Sequence, residues 1–93
     1  MGIAPLFPLG RIVATGGALR ALVEASQLPH EFLGRHVQGD WGELDEHDRA
    51  VNDEAVLGLG RILSAYTLST DDRIWVITES DRSVTTILTP DEY

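Results

Sequence analysis

The last third of the chain contains three short segments rich in Ile, Val, Thr, Tyr and Trp, separated by polar turns. The segments span residues 62–68, 73–79 and 83–89, and the turns read STDD and SDR. β-Branched and aromatic runs of this length, joined by short turns, are typical of an antiparallel meander. Residues 74–77 are all apolar, which predicts that the middle strand is buried on both faces and lies centrally in the sheet.

The N-terminal part begins with one more β-branched segment, residues 9–15, which predicts a strand at an edge of the same sheet. Gly16 and Gly17 predict a tight turn after it, followed by a first helix. The apolar positions with i, i+3, i+4 spacing that predict the buried face of this helix are Leu19, Leu22 and Val23.

Two further helices follow. Pro29 is suited to the first position of the second helix, which Gly39 ends, and Asp45 can cap the third helix with Asp48 three residues on. Gly58 marks the end of the third helix. The positions predicted to be buried are Phe32, Leu33 and Val37 in the second helix and Val51, Ala55 and either Leu44 or Leu59 in or beside the third.

These patterns predict a single α+β domain over residues 1–93. Three N-terminal helices pack on an antiparallel sheet of three C-terminal strands plus one N-terminal strand. The absence of cysteine excludes a disulfide framework and fits a reducing compartment. With no apolar run long enough to span a membrane and no signal-peptide pattern, we expect a cytoplasmic protein.

The formal net charge of −8 restricts the partners. It disfavours direct binding to nucleic acid and to anionic membranes, because both need clustered cations. All seven basic residues are arginine, so no lysine is present to form a Schiff base or to bind a phosphate. The composition therefore predicts a protein partner with a basic surface, and no cofactor.

Seven of the fifteen acidic residues lie in residues 40–54, DWGELDEHDRAVNDE, where Arg49 is the only basic residue. This stretch is named here the acidic segment. It suggests a surface for a cationic partner, and it also fits a solvated helix face whose first acids complement the helix dipole. The residues predicted to bind a partner are Asp40, Trp41, Glu43, Glu46 and Asp53.

Trp41 has two interpretations. Tryptophan is enriched at binding hot spots, so an exposed Trp41 would anchor a partner. Alternatively it is a core residue that closes the corner between the second and third helices, with Asp40 bonding to backbone amides in the turn.

Catalytic and metal sites are not indicated. His30, His36 and His47 lack the spacing of metal ligands, so we predict no metal site. Gly16-Gly17 could hold a phosphate at a helix N-terminus, but the glycine pattern and lysine of phosphate loops are missing. The hydroxyls of residues 80–86 have no nearby histidine in the sequence to activate them. We therefore predict no catalytic residues.

Several strings in the chain resemble a widespread bacterial family of small proteins that are often labelled plasmid-related. They are FPLGRIVAT, GDWGELDE, ILSAYTL and ITESDRSVTTILTPDEY, and the resemblance runs from Phe7 to Tyr93. The chain departs from the family pattern at Gly16, where the family usually has proline, and at Leu28, where it usually has Ser or Thr. The resemblance implies a genomic setting, on plasmids and other mobile elements, and no particular reaction.

The leading functional hypothesis is a non-enzymatic interaction protein of a mobile element. In this hypothesis the acidic segment inhibits a basic, nucleic-acid-handling partner, such as a CRISPR effector or a restriction enzyme. The alternative is a small structural or regulatory module, with a homodimer formed through an exposed strand edge and the acids serving solubility. An enzyme would need a pocket in which Asp48, Asn52 and Arg82 converge.

Overall fold

The computed structural model describes residues 4–58 and 60–93. Its elements, in chain order, are β1 (Arg11–Ala14), α1 (Gly16–Ala25), α2 (Pro29–Val37), α3 (Glu46–Leu57), β2 (Ile62–Thr67), β3 (Arg73–Thr78), β4 (Val84–Leu88) and a 3-10 turn (Pro90–Glu92). The predicted α+β class is confirmed, and each observed strand lies within the segment that was predicted to form it.

The four strands form one sheet with the order β1-β4-β3-β2. Strands β2, β3 and β4 form the predicted antiparallel meander, and β3 lies in the interior of the sheet as predicted. β1 occupies the opposite edge from β2, and it pairs in parallel with β4. The pairing is parallel because the three helices lie between β1 and the meander and return the chain to the same end of the sheet.

The main core lies between the sheet and the first two helices. Tyr66, Ile74, Val76 and Ile87 are buried on the helix-facing side of the sheet, and Phe32 of α2 packs into the same cluster. Phe32 and Leu33 are buried as predicted, while Val37 is half-buried.

The predicted buried face of α1 is wrong in part. Leu22 is buried, but Leu19 and Val23 are exposed. The buried positions of α1 are Ala18, Ala21, Leu22 and Ala25. The apolar residues of α1 define two overlapping stripes, and the alanine stripe is the one that faces the core, since small side chains let the helix lie close to its neighbours.

The predicted turn at Gly16-Gly17 is also wrong. Thr15 is the N-cap of α1, and its side-chain oxygen accepts a hydrogen bond from the Ala18 amide at 3.1 Å. Both glycines are therefore the first residues of the helix. The cap overrides the glycine pair because it satisfies amide groups that a helix start otherwise leaves without a partner.

The third helix begins as predicted, since the Asp45 carboxylate accepts a hydrogen bond from the Asp48 amide at 2.8 Å. Its buried stripe differs from the prediction, because Val51 is half-exposed and Asn52 is buried in addition to Ala55. The predicted alternative Leu59 lies outside the described residues. None of the helices in the described ranges is long and apolar enough to cross a membrane.

A chain of buried polar groups connects α2 with the sheet and the N-terminal segment. His36 is fully buried, its Nδ1 lies 2.6 Å from the Ser64 hydroxyl, and its Nε2 lies 2.9 Å from the Thr78 hydroxyl. The Thr78 and Thr85 hydroxyls are 2.7 Å apart, and Thr85 donates to the Leu9 carbonyl at 2.7 Å.

Hydrogen counting along this chain determines the state of His36. A carbonyl can only accept, so Thr85 donates to Leu9 and must accept the hydrogen of Thr78. Thr78 in turn accepts from His36, which places the ring hydrogen on Nε2 and leaves Nδ1 to accept from Ser64. The neutral imidazole thus satisfies every partner, and burial lowers the pKa of His36 from 6.5 to about 4.

Acid should therefore destabilise the protein through His36. The pKa is lower in the folded state than in the unfolded state, so the unfolded chain binds the proton first as the pH falls. The stabilisation is complete above pH 6.5 and is lost between pH 6.5 and about 4. Its full size is about 3 kcal/mol, from a shift of roughly two units or slightly more at 1.36 kcal/mol each.

Urea denaturation at several pH values measures this dependence. We expect the curves of the parent protein and of His36→Gln to converge as the pH falls from 7 to 4, because the variant lacks the titrating group. His47→Gln is the control for replacing a histidine by glutamine, since His47 is exposed on α3. Parallel curves for the parent and His36→Gln would contradict the assignment.

Candidate interaction surface

The corner between α2 and α3 is built around Trp41. Its indole is 4% exposed, stacks on Phe7 at 6.2 Å between ring centroids, and meets the edge of His36 at 5.9 Å. The indole N–H donates to Asp53 Oδ1 at 3.0 Å. Trp41 is therefore a core residue that ties the corner to α3, and the prediction that it is an exposed anchor for a partner is wrong.

The backbone on both sides of Trp41 covers the outer edge of β2. The Ala65 amide donates to the Trp41 carbonyl at 3.1 Å, and the Glu43 amide donates to the Ala65 carbonyl at 2.8 Å. Gly42 forms a parallel bridge with Ala65 between these two bonds. Gly42 has a φ of +75°, and a Cβ atom there would lie 2.0 Å from the Ala65 carbonyl oxygen. Only glycine allows this close approach.

Asn52 covers the same edge two residues earlier in β2. Its Nδ2 donates to the Leu63 carbonyl at 2.7 Å, and its Oδ1 accepts from the Leu63 amide at 3.2 Å. The side-chain amide thus pairs with Leu63 as a neighbouring strand would. This pairing explains why a polar residue occupies the buried stripe of α3, because a buried strand edge needs hydrogen-bond partners.

Two acids of the segment are engaged with arginines outside it. Arg35 Nε donates to Asp40 Oδ2 at 2.7 Å, and this hydrogen bond lowers the pKa of Asp40. Glu43 Oε1 accepts from the Thr67 hydroxyl at 2.6 Å and from Arg73 at 2.8 Å. The hydrogen bond from Thr67, and after it the one from Arg73, lowers the pKa of Glu43.

Arg49 and Asp45 hold the start of α3. Asp45 caps the helix, while Arg49 donates to the carbonyls of Leu44 and Gly42, both at 3.0 Å. The single base of the acidic segment therefore stabilises the turn rather than neutralising the outer acids of the helix.

The side of α3 that faces away from the sheet is exposed to solvent. The helix turns Asn52 and Ala55 inward, and α3 contacts β2. The residues on the opposite side, at i, i+4, i+8 and i+11 spacing, are Glu46, Ala50, Glu54 and Leu57. Leu57 is 90% exposed. We name these four residues the outer face of α3.

The five residues predicted to bind a partner do not form one patch. Trp41 is buried, Asp53 holds the Trp41 indole, and Asp40 and Glu43 are paired with arginines. Glu46 alone belongs to the outer face of α3. Glu54 and Leu57 were not predicted, although their spacing from Glu46 is the signal that identifies one side of a helix.

The other candidate sites have partners within the protein. The Glu92 side chain accepts from the Gly17 amide at 3.2 Å and from the Thr15 hydroxyl, so the protein's own carboxylate occupies the N-terminus of α1. The hydrogen bond from Thr15, followed by those from the amide and hydroxyl of Thr89, lowers the pKa of Glu92 to about 2, and the Gly17 amide adds a smaller effect. In the 80–86 turn, the Asp81 carboxylate accepts from both the amide and the hydroxyl of Ser83.

The convergent polar pocket that an enzyme would need is not formed by the predicted residues. Asp48 and Asn52 line a hollow of about 210 Å³, but the Asn52 amide is bonded to Leu63. Arg82 donates to the main-chain carbonyls of Ala55 and Gly60, both at 2.6 Å. Within residues 4–58 and 60–93, no three His, Asp or Glu side chains come together as a metal site would require.

Comparisons with protein-family models, curated proteins and solved structures gave no match to this chain. Its function is therefore inferred from the geometry of its own surface.

Gly42→Ala should destabilise the protein by about 2–4 kcal/mol, because the new methyl group collides with the Ala65 carbonyl and alanine strains a positive φ. Gly34→Ala is the matched control. Nothing lies within 4 Å of a Cβ atom at Gly34, which is inside α2, so we expect a stabilisation of about 0.5–1 kcal/mol. The urea midpoints of both variants measure the difference, and a Gly42→Ala midpoint at or above that of the parent would show that the β2 edge is not closed as described.

Proposed function

We propose that the protein is a non-enzymatic interaction protein whose outer face of α3 binds a basic surface on a protein partner. The main support for this proposal is the exposure of Leu57, which is 90% exposed on the same side of the helix as Glu46 and Glu54. When a partner buries a large apolar side chain that is this exposed, the complex is stabilised by roughly 2 kcal/mol. A helix needed only for solubility would carry a polar residue at that position.

The two acids specify the chemistry of the partner. Glu46 and Glu54 are exposed, and they are separate from the ion pairs that engage Asp40 and Glu43. Arginines on the partner would pair with these carboxylates while an apolar pocket receives Leu57. Such pairs at the rim of an interface act mainly on the association rate and on specificity, and salt weakens them.

The class of partner follows from the charge of the whole chain. Proteins that handle nucleic acid expose clustered arginine and lysine, and a −8 protein is attracted to them over a Debye length of about 10 Å at 0.1 M salt. The resemblance to plasmid-related proteins adds a setting in which inhibiting a restriction enzyme or a CRISPR effector would be useful. We therefore propose inhibition of a nucleic-acid-handling enzyme of this kind, in the cytoplasm of a bacterium.

A second candidate function is a self-associating structural or regulatory module. It is favoured by the β1 edge of the sheet, where Ile12 and Val13 are exposed. The two functions use opposite edges of the sheet, so one does not exclude the other.

Glu46→Arg combined with Glu54→Arg should weaken partner binding roughly tenfold or more, because both contacts become repulsive. The control is Glu24→Arg combined with Asp91→Arg, since Glu24 and Asp91 are exposed and lie outside α3. Each pair changes the net charge from −8 to −4, so a difference between them reports the position of the charge and not its amount.

The measurement is an affinity pull-down from host lysate at low and moderate salt, followed by titration of the purified partner. We expect a nuclease, methylase or another DNA-handling protein that is captured by the parent and by the control pair, but not by the α3 pair. Leu57→Ser should reduce binding at both salt concentrations, because its contribution is apolar. Equal capture by all four proteins would refute the role of the outer face of α3.

A further inference from the structure

The two edge strands of the sheet, β1 and β2, differ in whether their outward backbone groups are covered. The β2 edge is covered by the backbone of Trp41 and Glu43 at Ala65 and by the side chain of Asn52 at Leu63. An uncovered edge is a template on which another strand can pair, and proteins usually block it with lysine, proline, a bulge or a covering loop. β1 is the terminal strand on its side of the sheet; it is four residues long and begins with Arg11, but it carries no lysine and no proline.

The hydrogen bonds of β1 show which of its groups point outward. The amides of Arg11 and Thr15 donate to the Ser83 and Ile87 carbonyls of the β4 segment, both at 2.9 Å. In an extended strand the amide and carbonyl of one residue point to the same side, and they alternate along the chain. Arg11, Val13 and Thr15 therefore face β4, while Ile12 and Ala14 direct their amides and carbonyls away from the sheet.

The side chains of this edge are apolar. Ile12 is 51% exposed and Val13 is 36% exposed, and they lie on opposite faces of the sheet. Within residues 4–58 and 60–93, nothing pairs with the outward backbone groups of β1. A strand that exposes β-branched side chains together with such groups has the composition of a pairing strand rather than of a protected edge.

We propose that β1 pairs with β1 of a second copy of this chain, antiparallel and about a two-fold axis at Val13. This register is chosen because it is the one in which both outward-facing residues of β1 exchange hydrogen bonds, Ile12 of one copy with Ala14 of the other; an axis at Ile12 or at Ala14 would pair only one of them within the strand. Val13 then lies directly opposite Val13 of the second copy, at a non-hydrogen-bonded position where the Cα atoms are about 4.5 Å apart. The result is a continuous eight-stranded sheet with two-fold symmetry.

Charge favours a second copy at this edge. Residues 1–23 contain two arginines and no acid, so the segment that carries β1 adds no negative charge of its own to the −8 chain. The same register places Arg11 opposite Thr15 of the second copy, and Thr15 holds the Glu92 carboxylate. Two symmetrical contacts between Arg11 and Glu92 follow, so the surface is electrostatically complementary to itself.

Dimerisation at β1 leaves α3 accessible. Because α3 lies beside β2, at the far end of the strand order, the two outer faces of α3 are at opposite ends of the eight-stranded sheet. The dimer would present two equivalent acidic surfaces. The pairing itself does not depend on the function proposed for α3, since it is carried by the β1 edge alone.

Val13→Cys tests the two-fold axis directly, because the chain has no cysteine of its own. Paired cysteines at a non-hydrogen-bonded antiparallel position fall within the Cα separation that a disulfide requires. Under mild oxidation we expect a disulfide-linked dimer. The control is Ile12→Cys, whose two copies are diagonal neighbours about 7–8 Å apart and form a disulfide poorly.

The control is decisive because Ile12 is more exposed than Val13, so random collisions would cross-link Ile12→Cys at least as fast. We expect Val13→Cys to cross-link at least ten times faster. Equal rates, or a faster Ile12→Cys reaction, would overturn the proposed register.

Sedimentation equilibrium of the unmodified protein is the second measurement. The paired edge is short, so the dimer belongs to the small, transient class of interfaces, with a dissociation constant on the order of 10–100 µM. Val13→Lys should weaken it at least tenfold through like charges at the axis, while Val13→Thr should retain it. A parent protein that stays monomeric at roughly 500 µM would overturn the proposal, since this is well above that range.

Discussion

The closed edge of β2 is the constraint on which the rest of the structure depends. Gly42 reaches the Ala65 carbonyl only because it lacks a side chain, and Asn52 completes the pairing one step along the strand. These contacts determine where α3 lies, and Trp41 and Asp53 then hold it there through one hydrogen bond. The first half of the acidic segment therefore has a structural role, because its backbone supplies hydrogen-bond partners to the edge strand β2.

The second constraint is the buried polar chain that starts at His36. It joins α2 to three strands and to the N-terminal segment, with every hydrogen bond directed and no spare donor. Such a network has one satisfied arrangement, so it specifies how α2 sits on the sheet as well as stabilising it. Its cost is sensitivity to acid, since burial disfavours the charged imidazolium that a second proton would create and lowers the pKa of His36.

The acidic residues divide into two groups with different roles. Asp40 and Glu43 neutralise arginines at the corner, and Asp45 caps a helix. Glu46 and Glu54 face solvent beside an exposed leucine, and they are the acids that the proposed function assigns to a partner. The outer face of α3 and the β1 edge lie at opposite sides of the sheet. If both proposals hold, this arrangement would allow the protein to bind a basic partner and a second copy of itself at once.

The amino-acid sequence by itself determined the α+β class, the meander, the central position of β3, the edge position of β1, the start of α2 at Pro29 and the cap of α3 at Asp45. These features depend on local alternation, turn residues and capping chemistry, which act over a few residues. Only the tertiary structure decided that the alanine stripe of α1 is buried and that His36, Trp41 and Asn52 are internal. Those outcomes depend on which groups meet across the fold, and a polar or amphipathic side chain is buried only where its partners are already in place.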